Sequence, residues 1–161
     1  MALFLIVSSF LTILILLLLS VNGFLLHLES VNLARHVYCA LPVVIFSMFS
    51  HTMTIFYFIG TGKQVKEIVR ERSLPPDLLE ETRRLKREVF PAATCAIVAV
   101  MATFIIGGGV HVGMIPWYLH MILALLAVTA SAWAFVREAR NIYRNVLLAE
   151  RVETLAGFRK P

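Results

Sequence analysis

The chain has 161 residues, of which 59% are hydrophobic and 16% charged, with a formal net charge of +5. Soluble domains average about 45–50% apolar and about 25% charged residues, so this composition excludes a soluble enzyme. The length suits one domain, and its excess apolar surface has to face lipid.

The first uncharged segment runs from Met1 to Leu28, enough for the roughly 20 apolar residues that a helix needs to cross a bilayer. Its apolar run from Ala2 to Leu19 outlasts the core of a signal peptide, about 7–15 residues, and it has neither a basic leader nor an A-x-A site. A retained helix over about 2–27 is expected. Glu29 and Arg35 mark a short connection. A second span over about 37–61 follows, with Pro42 suited to a first turn or a mild kink. Gly60 and Gly62 in FIGTGK predict its stop; the lone lysine after them lacks the spacing of a phosphate loop.

The connector, residues 62–89, carries eight basic residues and a sparse apolar stripe of Leu74, Leu78, Leu85 and Val89. Asp77, Glu80 and Glu81 precede Arg83 to Arg87, an order that complements a helix dipole. The stripe predicts an amphipathic helix that lies on the membrane surface, docks a partner or runs on into the third span. That span covers about 90–110, with Pro91 at its start, and the fourth about 116–136, headed by Pro116. The tail, 137–161, keeps helical spacing at Ile142, Val146, Leu147, Val152 and Leu155, which predicts a polar helical extension in need of cover.

Backbone in hydrocarbon must satisfy its own hydrogen bonds, so the four runs read as helices. The fold class expected is an all-α integral membrane four-helix bundle, a single transmembrane domain with a cytoplasmic connector and tail. Fourteen of the 15 Lys and Arg residues lie in the connector and the tail, which an even number of spans puts on one side. The positive-inside tendency makes that side cytoplasmic, with both termini inside, in a bacterial inner membrane. The positive charge is thus a topology signal, and nucleic acid is not an expected partner. Small residues at Ala92, Ala96 and Ala99 and at Ala124, Ala127, Ser131 and Ala134 predict that the last two helices approach most closely. The Leu-rich first helix is the natural lipid-facing one. Cys39 and Cys95 fall on opposite sides and make no redox motif.

With the charges expelled from the spans, five histidines remain as intramembrane chemistry. His27, His36 and His111 fall at the outer ends of their helices, where they also read as wetted interfacial residues. His120 lies about one turn into the fourth span, and His51, in SHTMT, near the middle of the second, where Ser47 or a helix carbonyl can satisfy it. Counting about 1.5 Å per residue puts His51 some 10 Å deeper than His120, so His120 is better matched with His36, His111 or His27. The same count sets His51 level with Thr12, Thr129 and Met101, the last a possible soft ligand.

Two functional readings use these side chains. In one, His51 and His120 are the leading ligands of b-type haem, on different irons or with other partners, and His36, His111 and Met101 are further candidates. Phe46, Phe49, Phe56, Tyr57 and Phe58 are available as walls, and Gly107 to Gly109 leave room for a porphyrin. The protein then passes electrons to a quinone or a partner subunit. In the other, His51 and His120, or the outer histidines with Met114 and Met121, bind copper or zinc. In span count and histidine placement alone the chain is similar to the cytochrome b561 group and to the membrane anchors of succinate dehydrogenase; that resemblance implies haem ligation by histidine. The rival class is a non-catalytic structural or assembly subunit, docked on a partner or on further copies of itself. A transporter or channel is disfavoured because no acidic or basic residue is expected within the spans.

Overall fold

The computed structural model describes residues 1–27 and 33–157, the side chains of residues 26 and 27 excepted. It is all-helical: α1 covers Ala2–His27, α2 Leu33–Glu71, α3 Asp77–His111 and α4 Trp117–Leu155. All four are long and apolar enough to cross a membrane. They run up and down in chain order as a square bundle, with α1 and α3 each packed on α2 and α4. The α3–α4 interface is the most extensive, α2 and α4 touch across the diagonal, and α1 and α3 make no contact among the described residues.

One end of the bundle, the basic end, holds the connector and the tail. Here α2 does not stop at Gly60 and Gly62 but continues to Glu71, so at 39 residues it is about 58 Å long, well beyond the roughly 30 Å of hydrocarbon. Glycine costs a helix only about 1 kcal/mol, and at Gly62 the missing side chain is what lets α3 approach. A Cβ there would stand 3.0 Å from the Thr82 methyl and press on the end of Lys86. Burial against this seam pulls the Lys86 ammonium below its ordinary pKa. The chain turns through Ser73, at φ 51°, and restarts at Asp77 behind Pro76. The amphipathic connector helix and the third span are therefore one helix, with Pro91 inside it.

The apolar stripes of the connector and tail cover one another. Leu78, Leu85 and Val89 of α3 pack with Val65 and Val69 of α2 and Ile142, Leu148 and Val152 of α4, all buried, beneath Leu5 of α1. Leu147 and Leu155 stay exposed. Ion pairs edge this core. Burial alone would raise the Glu88 carboxyl, but hydrogen bonds from Asn141 and Arg84 and the nearby Arg144 hold it below the usual carboxylate range.

Further along, the bundle turns inside out relative to a soluble protein. Leu3, Val7, Leu14 and Leu18 of α1 and Ile45, Phe49 and Phe56 of α2 face outward, while Ser8, Ser9 and Thr12 of α1, Ser47, Ser50, His51 and Thr54 of α2 and Ser131 of α4 are buried. Several of these hydroxyls bond a carbonyl one turn back: Thr12 donates to Ser8, Ser47 to Val43 and Thr54 to Ser50, which satisfies them without a neighbouring helix. At the middle of the α3–α4 contact stands an alanine cluster, with Ala92, Ala96 and Ala134 fully buried.

That seam sets a stability expectation. Ala96→Leu overpacks it and lowers the thermal midpoint of the detergent-solubilised protein by an amount worth about 1–3 kcal/mol, whereas Cys95→Leu, at an exposed neighbouring position, leaves the midpoint unchanged. Equal shifts in the two unfolding curves would disprove the close approach.

Candidate functional site

The histidines separate into two sites on the same two helices. The first is a cavity of about 690 Å³ at the end of the bundle opposite the basic one, walled by all four helices. Its interior is apolar apart from His36 of α2, His120 of α4, His111 of α3 and the Ser20 and Thr103 hydroxyls. Its floor is a layer of one buried residue per helix, Leu16, Val44, Val100 and Ala127.

His36 and His120 meet across this cavity, their ring centroids 6.3 Å apart and their planes perpendicular. Each ring is fixed from behind. His36 Nδ1 lies 3.0 Å from Asn22 Oδ1 of α1, and His120 Nδ1 lies 3.1 Å from the Thr103 carbonyl of α3. Both partners accept, so each Nδ1 carries the proton and each Nε2 is left as a free electron pair. Thr103 is itself tied down, its hydroxyl shared between the carbonyls of Ala99 and of Leu123 on α4.

Glycines make the space for both rings. A Cβ on Gly23 would stand 3.1 Å from His36 Cε1, and one on Gly107 only 2.9 Å from His120 Cε1. Gly109 is filled instead by Ile115, while nothing approaches the empty side of Gly108. His111 is exposed at the cavity mouth, where it also borders a smaller cavity against Leu33, Val37 and Tyr38. Met121 lines the wall.

The second site lies toward the basic end. His51 and Glu138 are both fully buried and in contact, with His51 Nδ1 2.8 Å from Glu138 Oε1. The other carboxylate oxygen accepts from Ser9 at 2.7 Å. Behind them Ser9 and Ser50 lie 3.4 Å apart, Ser50 donates to Ser8 at 3.0 Å, and Ser8 donates to the Leu5 carbonyl. His51 Nε2 is buried without a hydrogen-bond partner.

Several expectations change on this geometry. His51 belongs to another layer of the bundle than His120, borders neither cavity, and is held by Glu138 rather than by Ser47 or a carbonyl. Met101 points outward, 41% exposed, and lines neither cavity. Thr129 is likewise exposed. On α4 the residue that meets His51 is Glu138, nine positions beyond Thr129; α2 begins at Leu33, ahead of the expected start of its span, so His51 lies farther from the outer end than the count of depth allows. The aromatic residues of α2 do not wall the cavity: Phe49 and Phe56 face outward and Phe58 fills the core at the basic end. Met114 is 82% exposed. The side chain of His27 lies outside the described residues.

Glu138 is the functional residue that sequence reasoning missed. It sits in a run of charges, VREAR, just past the expected end of the fourth span, and so reads as solvated tail. Its signal was positional: Ser131, Ala134, Glu138, Asn141 and Asn145 recur at helical spacing, and that face is the buried one.

No group of three or more metal-ligating His, Cys, Asp or Glu side chains is present among the described residues. The outer site offers two imidazoles and the inner site a carboxylate–imidazole pair. Comparisons with protein-family models, with curated proteins and with solved structures find no match to this chain.

Removing one partner of the inner pair leaves the other buried and alone. Glu138→Leu is expected to cost about 3–5 kcal/mol, while His51→Leu combined with Glu138→Leu recovers most of that loss. Thermal unfolding of the single and double variants in one detergent checks this; strictly additive losses would refute the coupling.

Proposed function

We propose that this chain is a multi-pass membrane protein that holds one b-type haem in the outer cavity, where His36 and His120 would bind it, and carries electrons within the membrane. The observation that carries the reading is the pair of imidazoles brought together in the cavity, their centroids 6.3 Å apart. Each Nδ1 is engaged from behind and each Nε2 is free, as ligation of a metal by histidine requires. One metal ion could be held by both rings, a use that the 6.3 Å separation of their centroids admits.

The rest of the cavity suits the same occupant. Its volume lies within the roughly 300–1,000 Å³ of cofactor pockets, its walls are apolar, and Gly23 and Gly107 keep side chains off the two rings. When bound, the haem supplies reversible one-electron exchange. The chain's own residues do the positioning: Asn22 and the Thr103 carbonyl orient the ligands and raise their basicity, and the apolar floor keeps water off the inner face. His111 would be available to a polar group of the bound cofactor at the cavity mouth. Electrons are exchanged with a lipid-soluble carrier such as a quinone or with a partner subunit. The concentration of Lys and Arg at the other end orients that end, with both chain termini, to the cytoplasm.

An optical spectrum of the purified protein tests the proposal. One haem per chain is expected, with a Soret band and a reduced α-band of b type. His36→Ala and His120→Ala each abolish the spectrum, Asn22→Ala weakens haem binding about 10–100-fold, Gly107→Val excludes the group, and His51→Ala retains it. A colourless protein, or a spectrum surviving both outer substitutions, would overturn the reading. Metal analysis of the same sample reads out copper or zinc directly.

A further inference from the structure

The inner pair plays no part in the cavity chemistry, and its own chemistry is of another kind. Glu138 Oε2 accepts from Ser9, and Oε1 lies 2.8 Å from His51 Nδ1, a contact that an ionised carboxylate makes by accepting the Nδ1 proton. With a neutral imidazole the buried pair would carry a net charge of −1 away from water, a costly state. A second proton on the imidazole makes it a neutral ion pair. The atom that takes that proton is Nε2, fully buried and the one ring nitrogen of His51 without a partner.

Among the described residues, α1 buries the hydroxyls of Ser8, Ser9 and Thr12, α3 buries Ala92, Ala93 and Ala96, and α4 buries Ser131 and Asn141 on the face of Glu138, none of them charged. On α2 the neighbours are Ser47, Ser50 and Thr54. The charged groups nearest in the chain and across the seam are engaged elsewhere: Arg137 lies over the Trp133 ring, and Glu88 pairs with Arg84 and Arg144. The Met1 amino end of α1 is exposed.

We propose that His51 and Glu138 form a proton-binding site inside the membrane, which takes up and releases one proton at His51 Nε2. The apolar layer of Leu16, Val44, Val100 and Ala127 stands between this site and the outer cavity, and the hydroxyls of Ser9, Ser50 and Ser8 line the carboxylate side of the pair. The site has a use in electron transfer: one electron received in the outer cavity from a one-electron donor lowers the bundle's total charge by one, and one proton taken from water and bound at Nε2 offsets that change. This coupling rests on the haem reading; the proton binding itself does not.

The experiment uses the full chain in lipid nanodiscs. Nitrogen NMR of labelled histidines and infrared pH-difference spectra between about pH 5 and about pH 8 read the site whether or not haem is present. The expected result is one imidazole that gains a proton at Nε2 while Nδ1 stays hydrogen-bonded, together with a carboxylate shift. His51→Asn and Glu138→Gln each remove both signals, and Ser9→Ala, which retains the pair, moves the transition along the pH axis. A wild-type protein in which no buried imidazole changes protonation, or a carboxylate signal that survives His51→Asn, overturns the proposal. Because the wild-type and Ser9→Ala spectra suffice, a variant that does not fold leaves the test intact. Redox titration then reads the coupling: the haem midpoint potential falls as pH rises in the wild type and is flat in Glu138→Gln. A flat wild-type response overturns the coupling, and a protein without haem overturns the coupling and the cavity reading together while the spectra still decide proton binding.

Discussion

The contact between His51 and Glu138 is the constraint around which the bundle is arranged. It joins α2 to α4 across the diagonal, and Ser9 adds α1 through the second carboxylate oxygen. In lipid there is no hydrophobic driving force to hold helices together, so packing and interhelical hydrogen bonds do that work. The pair fixes the axial register of α2 against α4, and this register determines that His36 and His120, 15 and 18 residues away along their respective helices, arrive at one level. The outer cavity therefore owes its geometry in part to a contact in the opposite half of the molecule.

The remaining helix, α3, is joined differently. It offers alanine where the others offer hydroxyls and charge, and it reaches α4 through Ala92, Ala96 and Ala134. A seam of small residues draws backbones together but leaves little to line a site. On the same helix the change from alanine to Gly107 and Gly108 opens the cavity. The bundle is thus narrow where it is polar and wide where it is apolar, a shape set by side-chain size along α3 and α4.

Much of this was legible in the sequence. The four spans follow from where the charges are absent, and the close pairing of α3 and α4 follows from the spacing of Ala92, Ala96, Ala127 and Ala134. The glycine run was readable as space. The preference of His120 for His36 over His51 came from a count of rise per residue along helices of common direction. What escaped was register. Hydropathy marks where a helix leaves the lipid, but α2 and α4 do not leave it at equivalent turns, so Thr129 was matched with His51 where Glu138 stands. A single acid among Arg137, Arg140 and Arg144 carries no local sign of burial; only the partner helix supplies it. Gly62 misled for a related reason: its signature for ending a helix and its signature for close helix approach are the same residue.

The apolar layer of Leu16, Val44, Val100 and Ala127 has an electrical consequence. It sets four apolar side chains between the outer cavity and the buried His51–Glu138 pair, an interval that a charge crosses only at high cost. In an energised membrane the voltage falls mainly across such an interval, and moving one elementary charge through a full drop of about 100 mV is worth about 2.3 kcal/mol. The outer cavity and the inner pair then stand at different electrical potentials, separated by four side chains, and the voltage itself acts on how charge is divided between them.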